Sequence, residues 1–153
     1  MKYAIAIASV FLIASCATPY AKYSWASGTG YSSSQLGDKV FSVSFQGDGS
    51  TDIQRAKDFA LLRSAEISWQ HRCSHFIILG SSQQVTQSTV TTPKTTSTNY
   101  YSGVAQTTTS GGYTYSIAAP STSNTIMCFS EKPEGFSYSV DFIMKSLKTK
   151  YNL

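Results

Sequence analysis

Charge is what this sequence has least of. Across 153 residues only 13% are Asp, Glu, Lys or Arg, about half the usual share for a globular domain, and Ser, Thr and Tyr take their place. The formal net charge is +4, and setting aside a leader that contains Lys2 leaves eleven basic and eight acidic residues. The basic residues are scattered, so the chain lacks the clustered cationic face that holds nucleic acid. No apolar run reaches the roughly 20 residues needed to cross a bilayer as a permanent helix. Only two histidines are present, His71 and His75, and no Gly-x-Ser-x-Gly elbow presents a serine. A hydrolase of the cell wall or of lipids would need both a base and such a serine. No catalytic residue and no cofactor is therefore expected, and the chain reads as a non-enzyme.

What is present begins with a targeting segment. Lys2 opens it, residues 3–14 are mostly apolar, and it closes on Ile13-Ala14-Ser15-Cys16. Too short to span, the segment reads as a removable signal. An ordinary secretory peptide cut near a small residue would explain the apolar run. An aliphatic residue, two small residues and Cys also resemble a bacterial lipobox, which explains why a cysteine stands where the run ends. In that pathway the Cys16 sulfur carries a diacylglycerol and the new amine is commonly acylated too. Two or three acyl chains hold a protein on a membrane where one gives only marginal binding. Ala17, in place of an aspartate, favours the outer membrane facing the periplasm. Residues 1–15 are thus the signal peptide, 16–30 a lipidated N-terminus and linker, and 31–153 one domain.

The best-specified stretch is 40–79. Residues 40–46 alternate Phe41, Val43 and Phe45 with Ser42, Ser44 and Gln46, as in a strand with one buried face. Gly47-Asp48-Gly49-Ser50-Thr51 follows. It lacks the third glycine and the Lys-Ser/Thr pair of a phosphate loop, and Asp48 and Asp52 would repel an anion. It reads as a turn in which Thr51 caps the next helix and Gln54 closes a capping box. That helix, residues 52–70, is apolar on two sides, so a second element must cover part of it. Arg63 and Glu66, at i and i+3, read as a structural ion pair.

Several short motifs then carry a resemblance. Ala17-Thr18-Pro19-Tyr20, Gly30-Tyr31-Ser32, Leu36-Gly37-Asp38, Val43-Ser44-Phe45-Gln46-Gly47 and Leu61-Leu62-Arg63-Ser64-Ala65-Glu66 occur in this order. Together they resemble a family of small, functionally uncharacterised bacterial lipoproteins with a TPY, GYS, VxFxG and LLRxAE signature. The resemblance covers roughly residues 16–79, with Ser64 standing where alanine is more usual. It implies location and architecture, and it brings no catalytic residues.

His71, Cys73 and His75 have the residue types of a zinc or copper site. Three ligands two apart on one strand are poorly placed for a closed tetrahedron, so periplasmic metal binding stands only as an alternative. Cys73 has a better use. Residues 81–124 form a Ser/Thr-rich hairpin or loop of unusual length. Folding the chain back at Tyr100-Tyr101 sets Cys73 opposite Cys128, and in an oxidising compartment two remaining cysteines pair. Closing that loop stabilises by about 4 kcal/mol.

A last helix over 139–149 places Val140, Ile143, Met144 and Leu147 on one side. The expected fold is α+β, a small two-layer sandwich with three to four mainly antiparallel strands, two helices on one face and the polar hairpin projecting. The expected function is that of a cell-envelope lipoprotein, structural or partner-binding. It would be held to the membrane through Cys16 and would meet an unknown envelope protein or glycan, not nucleic acid.

Overall fold

The computed structural model describes residues 18–153. The signal peptide and Cys16 lie outside the described residues. The elements follow the order β1 (Gly30–Gly37), β2 (Val40–Gln46), α1 (Ile53–Gln70), β3 (His75–Thr91), β4 (Thr95–Tyr101), β5 (Val104–Ser110), β6 (Thr114–Phe129), β7 (Tyr138–Ser139) and α2 (Val140–Tyr151). The class is α+β, but with seven strands where three to four were expected. Five of them form one sheet in the order β1-β2-β6-β3-β7, and β4 and β5 pair separately. Every strand pair is antiparallel.

The count differs because the polar segment supplies most of the strand length. β3 and β6 stay paired from His75 and Phe129 as far as Thr91 and Thr114. The same register continues through Thr92, whose N–H donates to the Tyr113 carbonyl, into β4 and β5. A two-residue turn at Ser102 and Gly103 closes the hairpin, both with positive φ (49° and 81°), as type I′ turns require. The chain thus folds back two residues beyond Tyr100-Tyr101. With the bulge between Ile78 and Gly80, this sets Phe76 and not Cys73 opposite Cys128. The two cysteines are nevertheless bonded, with Cα atoms 5.7 Å apart. Cys73 precedes β3, in a turn that leaves α1 through Arg72 at φ 59°, and its N–H donates to the Ser68 carbonyl.

The alternation of β2 has the predicted result. Phe41, Val43 and Phe45 are fully buried and the residues between them are half-buried. Phe41 and Val43 share a core with Ala65 of α1, Phe76, Ile126, the two bonded cysteines and Val140 of α2, with Ile143 and Met144 packed against it. A second cluster joins Phe45 to Ala56, Phe59 and Ala60, with Tyr20, Tyr31 and Tyr151 around it. The far end of α2 therefore covers α1 through Tyr151, whose ring packs edge-on against Phe59 at 4.8 Å. Ser64 is fully buried, and its hydroxyl donates to the Ala60 carbonyl at 2.8 Å. That bond satisfies the one polar group that distinguishes it from alanine.

The helix cap differs from expectation. Asp52 is the N-cap of α1, its carboxylate accepting from the Arg55 N–H at 2.9 Å. Thr51 instead turns inward, and Gln54 donates to Asp58 at 2.8 Å, so no capping box forms. The physical reason is competition for the Thr51 hydroxyl, which donates to the Asp48 carboxylate and faces Thr18 from the N-terminal segment. Asp caps as well as Thr, and its neighbour is left free for a long-range contact.

Candidate functional site

From Thr18 onward the segment before β1 packs against the domain. Thr18 is only 2% exposed; its hydroxyl meets that of Thr51 and accepts from the Asp48 N–H at 3.2 Å. Tyr20 packs against Tyr31 and Phe59 and donates its hydroxyl to Glu66 at 2.7 Å. Burial, and then that hydrogen bond, push the Tyr20 phenol far above its ordinary value, so it stays a donor. The Tyr23 N–H then donates to the Tyr31 carbonyl, which adds a short rung beside β1. The aromatics of the segment were visible in the sequence, but no local period announced their partners.

Arg63 and Glu66 lie 3.4 Å apart and form the middle of a wider network. Arg63 also donates to Ser33 and stacks over Tyr31 at 4.7 Å, while Lys148 of α2 reaches Glu66 at 3.4 Å. The pair therefore ties α1 to the N-terminal segment, β1 and α2 at once. A second junction was missed. Asp58, 7% exposed, accepts from Gln54, from Lys150 at 2.6 Å and from the Tyr151 hydroxyl at 2.7 Å. Burial alone would raise its carboxyl; the bonds from Lys150, Tyr151 and Gln54 outweigh burial and hold it below the usual range. Asp48 behaves alike, lowered to about 2 against burial by the Ser50 hydroxyl, Thr18, the Ser50 N–H and Thr51.

The His71, Cys73 and His75 segment does not converge. The Cys73 sulfur is bonded to Cys128, the His71 ring packs on Phe41 at 4.5 Å, and His75 Nδ1 lies 2.9 Å from the Ser74 hydroxyl. Among the described residues no group of three His, Cys, Asp or Glu could hold a metal ion. Ser74 and His75 are a polar contact between neighbours, and the Ser74 hydroxyl also meets the Ser130 carbonyl at 2.7 Å.

The surface of the described residues carries several shallow hollows. A groove of about 560 Å³ beside β1 is lined by Trp25, Tyr23, Lys22 and Arg63, and Trp25 is 91% exposed. A smaller one of about 170 Å³ lies between Leu61 of α1 and Gln83 of β3, over Thr122 and Asn124. Thr122 is buried and its hydroxyl has no partner among the described residues.

The largest feature is the ribbon. Every residue of β4 and β5 is exposed, as is almost all of β3 after Ile78. Its two halves join where Pro93 interrupts one strand and Gly111 faces it at φ 87°; a Cβ there would lie 2.1 Å from the Pro93 oxygen. The Thr92 hydroxyl and backbone clasp Tyr113 across this joint. Hydroxyl pairs continue along the ribbon at Thr91 and Thr114, Thr96 and Thr109, and Thr98 and Thr107. Tyr100, Tyr101 and Val104 stand exposed at the tip. Among the described residues no helix is long and apolar enough to cross a membrane. No family model, curated protein or solved structure matches the chain.

Proposed function

We propose that this chain is a non-enzymatic accessory lipoprotein of the bacterial cell envelope, anchored through lipid on Cys16 and facing the periplasm from the outer membrane. In this reading the helices form one layer on one face of the five-stranded sheet. The layered core is a mount and the ribbon is the working surface. The ribbon is the observation that carries it: a fully exposed two-stranded arm rooted, through β3 and β6, beside the disulfide-bonded core. An exposed ribbon with two unpaired edges, hydroxyl ladders and an aromatic tip is a template for contact with another envelope component.

A photo-activated crosslinking residue at Tyr101 in intact cells tests this. The expected result is an adduct with an envelope component, absent when the same group replaces Glu134 in the loop between β6 and β7. Equal, background-level labelling at both positions would remove the ribbon from function.

A further inference from the structure

We propose that the component the ribbon meets is the surface of the phospholipid bilayer itself, with the Tyr100 to Val104 tip at headgroup depth. This rests on the Cys16 anchor of the preceding section and names the partner of the same surface. The first ground is reach. Cys16 stands two residues before Thr18, and two residues of extended chain span at most about 7 Å. Thr18 is held against Thr51 and Asp48, so no slack remains to let the domain drift from its lipid. The turn between β2 and α1 must therefore sit within about a nanometre of the acyl chains.

The second ground is direction. β2 runs from Val40, opposite Met127, to Gln46, opposite Ser121. Continuing past Gln46 along β6 leads toward Thr114 and the ribbon tip. The Gly47 N–H donates to the Pro120 carbonyl, and a Cβ on Gly49 would meet Ile117. The ribbon thus leaves the domain at the end where Thr18 is clamped. Beyond the Val85 and Pro120 pair, about sixteen residues in each arm at roughly 3.3 Å per residue make an extension of about 50 Å. An arm of that length leaving the anchored end runs onto the membrane.

The third ground is chemistry. Between Gly80 and Asn124 the only charged side chain is Lys94. Tyr100, Tyr101, Tyr113 and Tyr115 are all exposed, and tyrosine settles where an apolar ring and a wet hydroxyl are both served. Depth is limited by the backbone. Each edge of a two-stranded ribbon carries unpaired N–H and C=O groups, and in hydrocarbon each costs several kcal/mol. A single ribbon therefore stays in the hydrated headgroup layer.

The test uses the full lipidated protein in vesicles of phosphatidylethanolamine and phosphatidylglycerol. A nitroxide is placed by Ser102→Cys at the tip or by Glu134→Cys at the opposite end. Native thiols do not compete, because Cys73 and Cys128 are bonded and an acylated Cys16 has none. The expected result is a several-fold fall in collisions of the Ser102 label with an aqueous nickel chelate, with the Glu134 label unchanged. Tyr100→Ser with Tyr101→Ser should reverse part of that protection without altering the circular dichroism of the domain. Full nickel access at both labels, with diacylglycerol shown on the N-terminal peptide by mass spectrometry, overturns the bilayer assignment and leaves the anchor standing. A peptide without lipid overturns both. Protection that appears only after membrane proteins are added assigns the ribbon to a protein and overturns the proposal.

Discussion

Reducing the Cys73–Cys128 bond is the most informative perturbation of the core, because its size follows from the chain path. The bond joins residues 55 apart in sequence, and in the chain-entropy treatment a loop of that size stabilises by about 4 kcal/mol at 25 °C. Both cysteines are almost fully buried. Reduction leaves both sulfur atoms in place, so it opens no cavity of the kind a Cys→Ala pair would create. At roughly 2–4 °C per kcal/mol for a domain of this size, thermal unfolding should fall by about 8–16 °C. The assay is far-UV circular dichroism with and without a phosphine reductant. Deleting residues 84–115 sharpens it, since the loop shrinks from 55 to about 23. The logarithmic dependence then removes only about 0.8 kcal/mol of the effect. The truncated domain should still fold and still lose about 3 kcal/mol on reduction. A loss below about 1 kcal/mol in the full chain would refute the reasoning, and so would an effect that disappears with the ribbon.

Three further outcomes follow from the described contacts. Asp52→Ala should cost about 1 kcal/mol through the lost cap to Arg55, whereas Thr51→Val should cost about 1–3 kcal/mol by removing the hydroxyl that buried Thr18 and Asp48 both contact. Urea unfolding distinguishes them, because only the second should also raise proteolysis near Tyr20. For Asp58 the folded carboxyl titrates below its ordinary 3.8. Its contribution is therefore complete above that value and is lost as pH falls through the lower folded value. Asp58→Asn should flatten the acid limb of a stability profile measured from pH 6 to 2; an unchanged slope would show that Lys150, Tyr151 and Gln54 do not hold the ionised form.

Much of the frame is legible in the sequence because its signals are local. The period of two in Phe41, Val43 and Phe45 marks the buried face of β2, and the helical spacing of Val140, Ile143, Met144 and Leu147 marks α2. Both α-helices lie within two residues of where pattern and capping chemistry put them. A count of cysteines pairs Cys73 with Cys128 correctly, although the fold-back at Tyr100-Tyr101 that set them opposite each other is off by two residues.

What the sequence determines by itself, then, is the frame of β2, α1 and α2 and which of their faces are apolar, since backbone sterics and side-chain period act within a few residues; β4 and β5 in the polar segment are not marked in this way. Only the tertiary structure decides the rest. The bulge at Leu79 and the turn at Ser102 and Gly103 set a register that no alternation in a Ser/Thr-rich strand specifies, because both faces are polar. Thr51 gives up the cap because its hydroxyl is engaged by Asp48 in the turn and by Thr18, 33 residues away. Through that bond Thr18 is held at the end of the domain from which the ribbon springs.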